Sequence, residues 1–342
     1  MKALIALSGG VDSSVAAYLM QQAGYECLGC TMELFENVDK SAQRDAAAVA
    51  AHFGINFHVL SMIDAFKACV IDDFSSSYRC GETPNPCVVC NKRMKFGRLM
   101  EEARRLGCDK LATGHYARVR FDGERYHLHR AANLEKDQSY VLYTLTQEQL
   151  AHIAFPLGEM SKEDVRKIAL QLELSVAEKA ESQDICFVPE GDYAAVIEKY
   201  SGFSSVPGDF VDEEGRILGR HKGIIHYTIG QRKGLGLSLP APLFVIRIDP
   251  EKNEVVLGPS EKLFKKDVLV KNFHWISGEA PAGPVAGQAK LRYRQKAAPV
   301  TALPQEDGSV LLQFDEPQRA PTPGQSAVLY RDDEVLGGGI IR

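Results

Sequence analysis

A chain of 342 residues, set against a usual domain of about 100 to 200, predicts two domains or three. Apolar residues at 45% and charged residues at 25% exclude wholesale disorder and fibrous repeats. No apolar stretch reaches the roughly 20 residues that cross a bilayer, and the short apolar hexamer in MKALIALSGGVDSS lacks a cleavage site, so no membrane contact and a cytoplasmic location are expected. The net charge of -5 excludes a chain that is basic throughout. Residues 1–196 carry 21 Lys+Arg against 27 Asp+Glu, residues 197–260 carry 8 against 8, and residues 261–342 carry 11 against 10, so any nucleic-acid contact is a local patch.

In chain order, the first third alternates short apolar runs with helical patterns. The strand KALIAL leads to a helix from Asp12, then ECLGCTMELF, an Ala-rich helix near residues 42–53, FHVLSM, a long helix after Cys90, and KLATG. That beat predicts an α/β doubly wound parallel sheet. After about residue 200 the texture changes to short strands broken by Gly, Pro and Asp: SVPGDFVDEEGRILG, IIHYTIGQRKGLGL, LFVIRIDPEKNEVVLG, VTALPQEDGSVLLQFDEPQ and AVLYRDDEVLGGGIIR. Two small β-rich domains are expected to follow the sheet, with divisions at 1–199, 200–260 and 261–342.

The first strand runs into Ser8-Gly9-Gly10-Val11-Asp12-Ser13-Ser14 and an amphipathic helix. Two glycines let backbone N–H groups turn toward an anion, serines add hydroxyl donors, and the helix start brings its positive dipole end. A phosphate suits this turn, although the Lys of a Walker loop is absent. The string resembles the pyrophosphate loop of ATP pyrophosphatases, which cleave ATP between its α and β phosphates to adenylate an acceptor. The resemblance implies ATP on Ala6, Leu7, Ser8, Gly9, Gly10, Val11, Asp12 and Ser13, with Asp12 helping to hold Mg²⁺. The loop leaves the acceptor open.

Eight cysteines in a chain expected to be cytosolic point to free thiols, redox chemistry or metal before structural disulfides. In Thr83-Pro84-Asn85-Pro86-Cys87-Val88-Val89-Cys90, a Pro-rich entry before a periodic helix places Cys87 and Cys90 at a helix start, on one face. The dipole end with Lys92 and Arg93 is expected to favour thiolate. Cys27 and Cys30 have the same spacing inside an apolar strand, where they point to opposite faces, and are assigned to the core. Cys69, Cys80 and Cys108 carry no supporting context. Cys186 ends the polar run Glu181-Ser182-Gln183-Asp184-Ile185.

Taken in order, SGGVDSS, TPNPCVVCNKRMKF, ESQDICF and GRHKGIIHYTIGQRKGLGL resemble the tRNA-specific 2-thiouridylases over essentially the whole chain. The resemblance implies ATP-dependent 2-thiolation of the tRNA wobble uridine, with Cys90 as nucleophile and Cys186 as persulfide carrier. Met32 and Gly114 match positions bordering the adenosine. Asn85, Pro86, Cys87, His115, Lys136, Asp137, Gln138, Arg292, Tyr293 and Gln325 match tRNA-contacting positions, which makes the C-terminal domain RNA-contacting. Lys290, Arg292, Arg294 and Lys296 recur every second residue, and on a strand would form either a phosphate rail or charged edge protection. Some members carry Asp where Cys87 stands, so an iron-sulfur cluster on Cys87, Cys90 and Cys186 is the less favoured reading. Implied partners are lysine, glutamate and glutamine tRNAs and a cysteine desulfurase or sulfur-relay protein. Two other readings remain: an ATP-dependent ligase or amidating synthetase for a small molecule, and a cluster-bearing RNA-binding sensor.

Overall fold

The computed structural model describes residues 1–36, 40–179, 185–188, 191–238 and 241–342. Its first layer is a parallel sheet of β1 (Lys2–Ala6), β2 (Glu26–Glu33), β3 (Asn56–Ser61) and β4 (Lys110–Ala112). A hairpin of β5 (Ala117–Phe121) and β6 (Tyr126–Arg130) then leaves that sheet, and the two-residue β7 (Ile153–Ala154) completes its edge. The order is β3-β2-β1-β4-β7 with all strands parallel, so the winding reverses between β1 and β4.

Burial on both faces explains the continuous apolar run of β1, in which Ala3, Leu4 and Ile5 are wholly buried. Leu4 packs into one core; Ala3 and Ile5 pack into the other. Cys27 and Cys30 divide the same way between the two faces, as the strand period requires. The helices Val11–Gln22, Ser41–His52 and Lys162–Gln171 cover one face, and those from Ile63 to Arg79 and from Pro86 to Arg105 cover the other. This is the doubly wound arrangement.

The central β-rich unit contains β8 (Gly208–Val211), β9 (Ile217–His221), β10 (Phe244–Asp249) and β11 (Glu254–Gly258), in the order β10-β11-β8-β9. The segment IIHYTIGQRKGLGL is not a strand. It makes one 3₁₀ turn at Ile224–His226, and Gly230, Gly234 and Gly236 all take positive φ, which breaks any ladder.

The C-terminal unit is built from β12 (Phe264–Trp275), β13 (Val285–Lys290), β14 (Ala298–Pro304), β15 (Val310–Arg319), β16 (Ser326–Arg331) and β17 (Glu334–Ile341). β12 pairs with both β15 and β17, which closes the barrel. The β5–β6 hairpin joins this barrel rather than the parallel sheet, through Glu334 opposite His129. Arg118 and His127 fasten the joint, reaching Asp333 Oδ2 at 2.7 Å and Glu334 Oε1 at 2.6 Å. Among the described residues no helix is long and apolar enough to cross a membrane.

Candidate active site at the sheet switch point

Ligands of doubly wound sheets sit beyond the carboxyl ends of the strands, where the winding reverses. Here that crevice lies between β1 and β4. Leu7 extends the β1 ladder by donating to Cys30 O at 2.8 Å, and the chain then turns through Ser8, Gly9 and Gly10 into the helix Val11–Gln22. Ser8 N–H donates to Ser13 Oγ at 3.1 Å, and Ser13 and Ser14 hydroxyls donate to Gly10 O at 3.0 and 2.9 Å. The turn is thus rigid before any ligand enters. No side chain caps the helix at Gly10, which leaves its first N–H groups to an anion.

Asp12 is held by two groups that sequence reasoning missed. Lys162 Nζ and Tyr116 Oη donate to its Oδ1 at 2.6 and 2.7 Å. Lys162 stands in the first turn of its helix, where a cation opposes the dipole; that misplacement is the available signal that its partner lies elsewhere. Lys179 closes the loop from behind, donating to Gly9 O at 3.2 Å and Asp45 Oδ2 at 2.7 Å. With Asp12 so engaged, the donor set fits a magnesium ion carried mainly on ATP phosphates rather than caged by protein.

The β4 end meets this loop directly. A Cβ on Gly114 would lie 2.8 Å from Ser13 N and 2.9 Å from Asp12 C, so only glycine permits the approach. Met32, near the end of β2, packs half-buried against the core on the neighbouring rim.

The next residue carries the site across to the thiols. His115 is buried, with Nδ1 2.6 Å from Thr113 Oγ1 and Nε2 3.4 Å from Lys95 Nζ. Burial and Lys95 hold its pKa well below the ordinary value, so it is neutral at pH 7. Asn85 caps the helix Pro86–Cys90, its Oδ1 accepting from Cys87 N at 3.1 Å, with Pro86 at the first position. Cys87 is exposed and Cys90 half-buried. Cys186 is exposed, while Phe187 is anchored edge-on to Phe66 and Phe74 at 5.8 and 5.2 Å. Glu181–Asp184, the rest of that motif, lie outside the described residues. Cys90 and Cys87 both raise the pKa of Cys186, which places the three thiols in one neighbourhood.

The expected thiolate preference is corrected. Desolvation in the cleft raises Cys87 and Cys90 and pushes Cys186 up to about 12. The cation that opposes this for all three is Lys95; Lys92 and Arg93 face solvent. The cause is local: Asn91–Arg98 is a π-helix, whose i to i+5 bonds rotate Lys95 onto the thiol face. Lys95→Met should therefore move the rise of the thiolation rate to higher pH, by about one unit, because the thiols then hold their protons longer. A pH–rate profile measures this, and an unmoved profile would refute it.

The remaining sequence-selected residues sit on the barrel side of the cleft. Gln325 Nε2 donates to Thr83 O at 2.7 Å, tying the barrel to the segment before Cys87. Asp137 is buried and accepts from Ala131 N, Ser139 N and Ser139 Oγ, and Gln138 Oε1 accepts from Tyr116 N at 3.0 Å. Lys136 is half-buried in the turn before them. Tyr293 is close enough to Cys87 that ionising one disfavours the other.

The four-cation strand face does not exist. β13 ends at Lys290, and residues 291–296 form a turn because Leu291 is buried and its N–H is taken by Gln295 Oε1 at 3.1 Å. Lys290 lies over the Tyr140 and Tyr293 rings, and Arg292 Nη2 donates to Ala320 O and Thr322 Oγ1 at 2.8 Å each. Arg294 and Lys296 alone are exposed. Among the described residues no group of three or more His, Cys, Asp or Glu side chains is placed to hold a metal ion.

Three family models tile the chain: a tRNA methyl transferase HUP domain over residues 1–190, the PRC-barrel domain of the same family over residues 194–259, and an aminomethyltransferase β-barrel domain over residues 265–341. A tRNA-specific 2-thiouridylase MnmA of Clostridioides difficile (strain 630) is 47% identical over 99% of this chain and 98% of its own length. Another, from Moorella thermoacetica (strain ATCC 39073 / JCM 9320), is 49% identical over the same shares. With a serine- and glycine-built anion turn at the switch point, three free thiols gathered around Lys95 and relatives of this identity over its full length, the chain belongs to the tRNA-specific 2-thiouridylases.

Proposed function

We propose that the protein uses ATP to replace oxygen by sulfur at C2 of the tRNA wobble uridine. The observation that carries this reading is the continuous path from loop to thiols: Ser13 against Gly114, His115 beside it, and His115 against Lys95, which acts on Cys87, Cys90 and Cys186. A small-molecule ligase would use the loop and leave this thiol cluster idle.

ATP lies on Ala6 to Ser13, Met32 and Gly114, with pyrophosphate against the open N–H groups. The uridine base leaves the anticodon stack and enters between Asn85-Pro86-Cys87 and the barrel. Its C2 oxygen attacks the α-phosphorus and pyrophosphate leaves, so that a poor leaving oxygen becomes the oxygen of AMP. Magnesium supplies charge neutralisation on the phosphates when bound, with Asp12 as the loop's own carboxylate. Lys162 and Tyr116 keep Asp12 in position, and Lys179 fixes the loop.

Sulfur arrives as a persulfide on Cys186. Two routes agree with the site: the terminal sulfur attacks C2, AMP departs, and Cys90 thiolate then attacks the Cys186 sulfur to free 2-thiouridine; or Cys90 attacks first and releases sulfide, which displaces AMP. Both leave a Cys90–Cys186 disulfide. The donor is a cysteine desulfurase or relay protein, and the substrates are lysine, glutamate and glutamine tRNAs. The division of labour is a catalytic unit at 1–199, a spacer at 200–260 and an RNA-contacting barrel at 261–342.

Incubation with ATP tests the reading. Pyrophosphate release that depends on tRNA, with 2-thiouridine found by mass in the digested product, is expected. Release without RNA would return the ligase reading, and no release would leave an RNA-binding protein. For the barrel, Arg294→Gln with Lys296→Gln should weaken tRNA binding and reduce its salt slope by about two, one for each phosphate left without its cation. Titrations at several salt concentrations decide it; an unchanged slope removes the barrel turn from the interface.

A further inference from the structure

Each route above consumes two thiols and ends with Cys186 locked to Cys90, while Cys186 must be free to accept the next sulfur. Cys87 borders the entering base, but no step so far uses its thiol. We infer that Cys87 is the resolving thiol, which attacks Cys90 and releases Cys186 for the next round. This inference rests on the two-thiol function proposed above and adds a third catalytic residue to it.

The geometry supports a Cys87–Cys90 bridge. In the helix Pro86–Cys90 the two residues are three apart on one face, which sets their Cα atoms about 5 Å apart, inside the range a disulfide spans. Their exposures differ in the direction a redox pair needs: Cys87 is exposed to an outside reductant, and Cys90 is half-buried. Cys27 and Cys30 have the same spacing on β2 and lie in different cores, so spacing alone does not make a pair. Lys95 favours the thiolate of Cys87 as it does those of Cys90 and Cys186, so one cation serves every attacking sulfur.

The exchange balances without a net redox change. Cys87 thiolate attacks Cys90 Sγ, the Cys87–Cys90 bond forms as the Cys90–Cys186 bond breaks, and Cys186 leaves as thiolate and takes a proton. A low-molecular-weight or protein dithiol then supplies two electrons to the Cys87–Cys90 disulfide at its exposed sulfur. Because Cys87 is tethered beside its target, it outcompetes an external monothiol at cellular concentration.

Full-length protein, loaded without oxygen by an alkyl persulfide, is mixed with ATP and tRNA, quenched by alkylation at intervals and mapped for disulfides by mass. The wild type should pass from Cys90–Cys186 to Cys87–Cys90, whereas Cys87→Ser should stop at Cys90–Cys186. With a monothiol as sole reductant, the ratio of later turnovers to the first should fall at least about tenfold in Cys87→Ser, and a strong dithiol should restore it. Because that ratio is internal to each protein, a weaker tRNA contact in the variant does not alter it. Wild type that retains Cys90–Cys186 as its sole disulfide, or a variant whose ratio is unchanged, would overturn the resolving role alone. No disulfide in either protein while 2-thiouridine forms would overturn the two-thiol function and this inference with it.

Discussion

Cys90→Ser and Cys186→Ser should each abolish 2-thiouridine formation, by at least about a thousandfold, yet they should separate when adenylation is measured. Cys186→Ser keeps the loop, the switch-point crevice and the base-binding segment, so pyrophosphate release on tRNA should continue while sulfur transfer stops. Sulfur supplied as labelled persulfide should accumulate on Cys186 in the wild type and in Cys90→Ser, because the latter lacks the thiol that draws it off. The substitutions are mild for the fold: Cys186 is exposed, and Cys90 packs only partly against the core. A stability loss therefore does not account for the expected defect. Near-normal thiolation in either variant would end the two-cysteine mechanism.

How far the site was readable from the chain depends on whether its parts are local. The anion turn was readable because the hydroxyl and backbone bonds among Ser8, Gly10, Ser13 and Ser14 lie within one strand-to-helix connection, although Lys179, which braces it at Gly9 O, comes from 170 residues away. The start of the helix at Pro86 was readable for the same reason, since Asn85 and Pro86 are adjacent cap signals. Lys162 on Asp12 spans 150 residues, and no local pattern reports such a contact. Lys95 was hidden by a different cause. Nearness in sequence points to Lys92 and Arg93 as the cations beside the thiols, and a π-helical stretch changes which cation faces them.

The same distinction explains the fold. Alternation and punctuation marked β8, β9, β10 and β11 and the barrel strands β14 to β17, but the allegiance of the β5–β6 hairpin was decided by Arg118 and His127 meeting acids more than 200 residues away. The two-residue period of Lys290 to Lys296 misled because a buried Leu291 interrupts it. A run of alternating charge is evidence for a strand only where the intervening residues can share a second face.

Gly9→Ala should abolish ATP-dependent pyrophosphate release, whereas Gly10→Ala should not, although both stand in the same glycine pair. Gly9 has φ +71°, and a Cβ built there would lie 2.2 Å from Ala42 O and 2.9 Å from Ala42 C. These are backbone atoms at the start of the helix Ser41–His52, so no side-chain rotation relieves the clash. The left-handed conformation alone costs about 1–2 kcal/mol for a residue with a side chain. The loop or the helix must then move, and Lys179 loses its hold on Gly9 O. Gly10 has φ -112°, and its Cβ would meet only Ser8 Oγ, at 3.6 Å. If the turn's N–H groups stabilise the departing pyrophosphate, displacing them should cost at least about a hundredfold in rate, comparable to losing an oxyanion donor. Pyrophosphate release and ATP affinity in the two variants measure the difference. Equal activity would show that the backbone of this turn does not hold the phosphates.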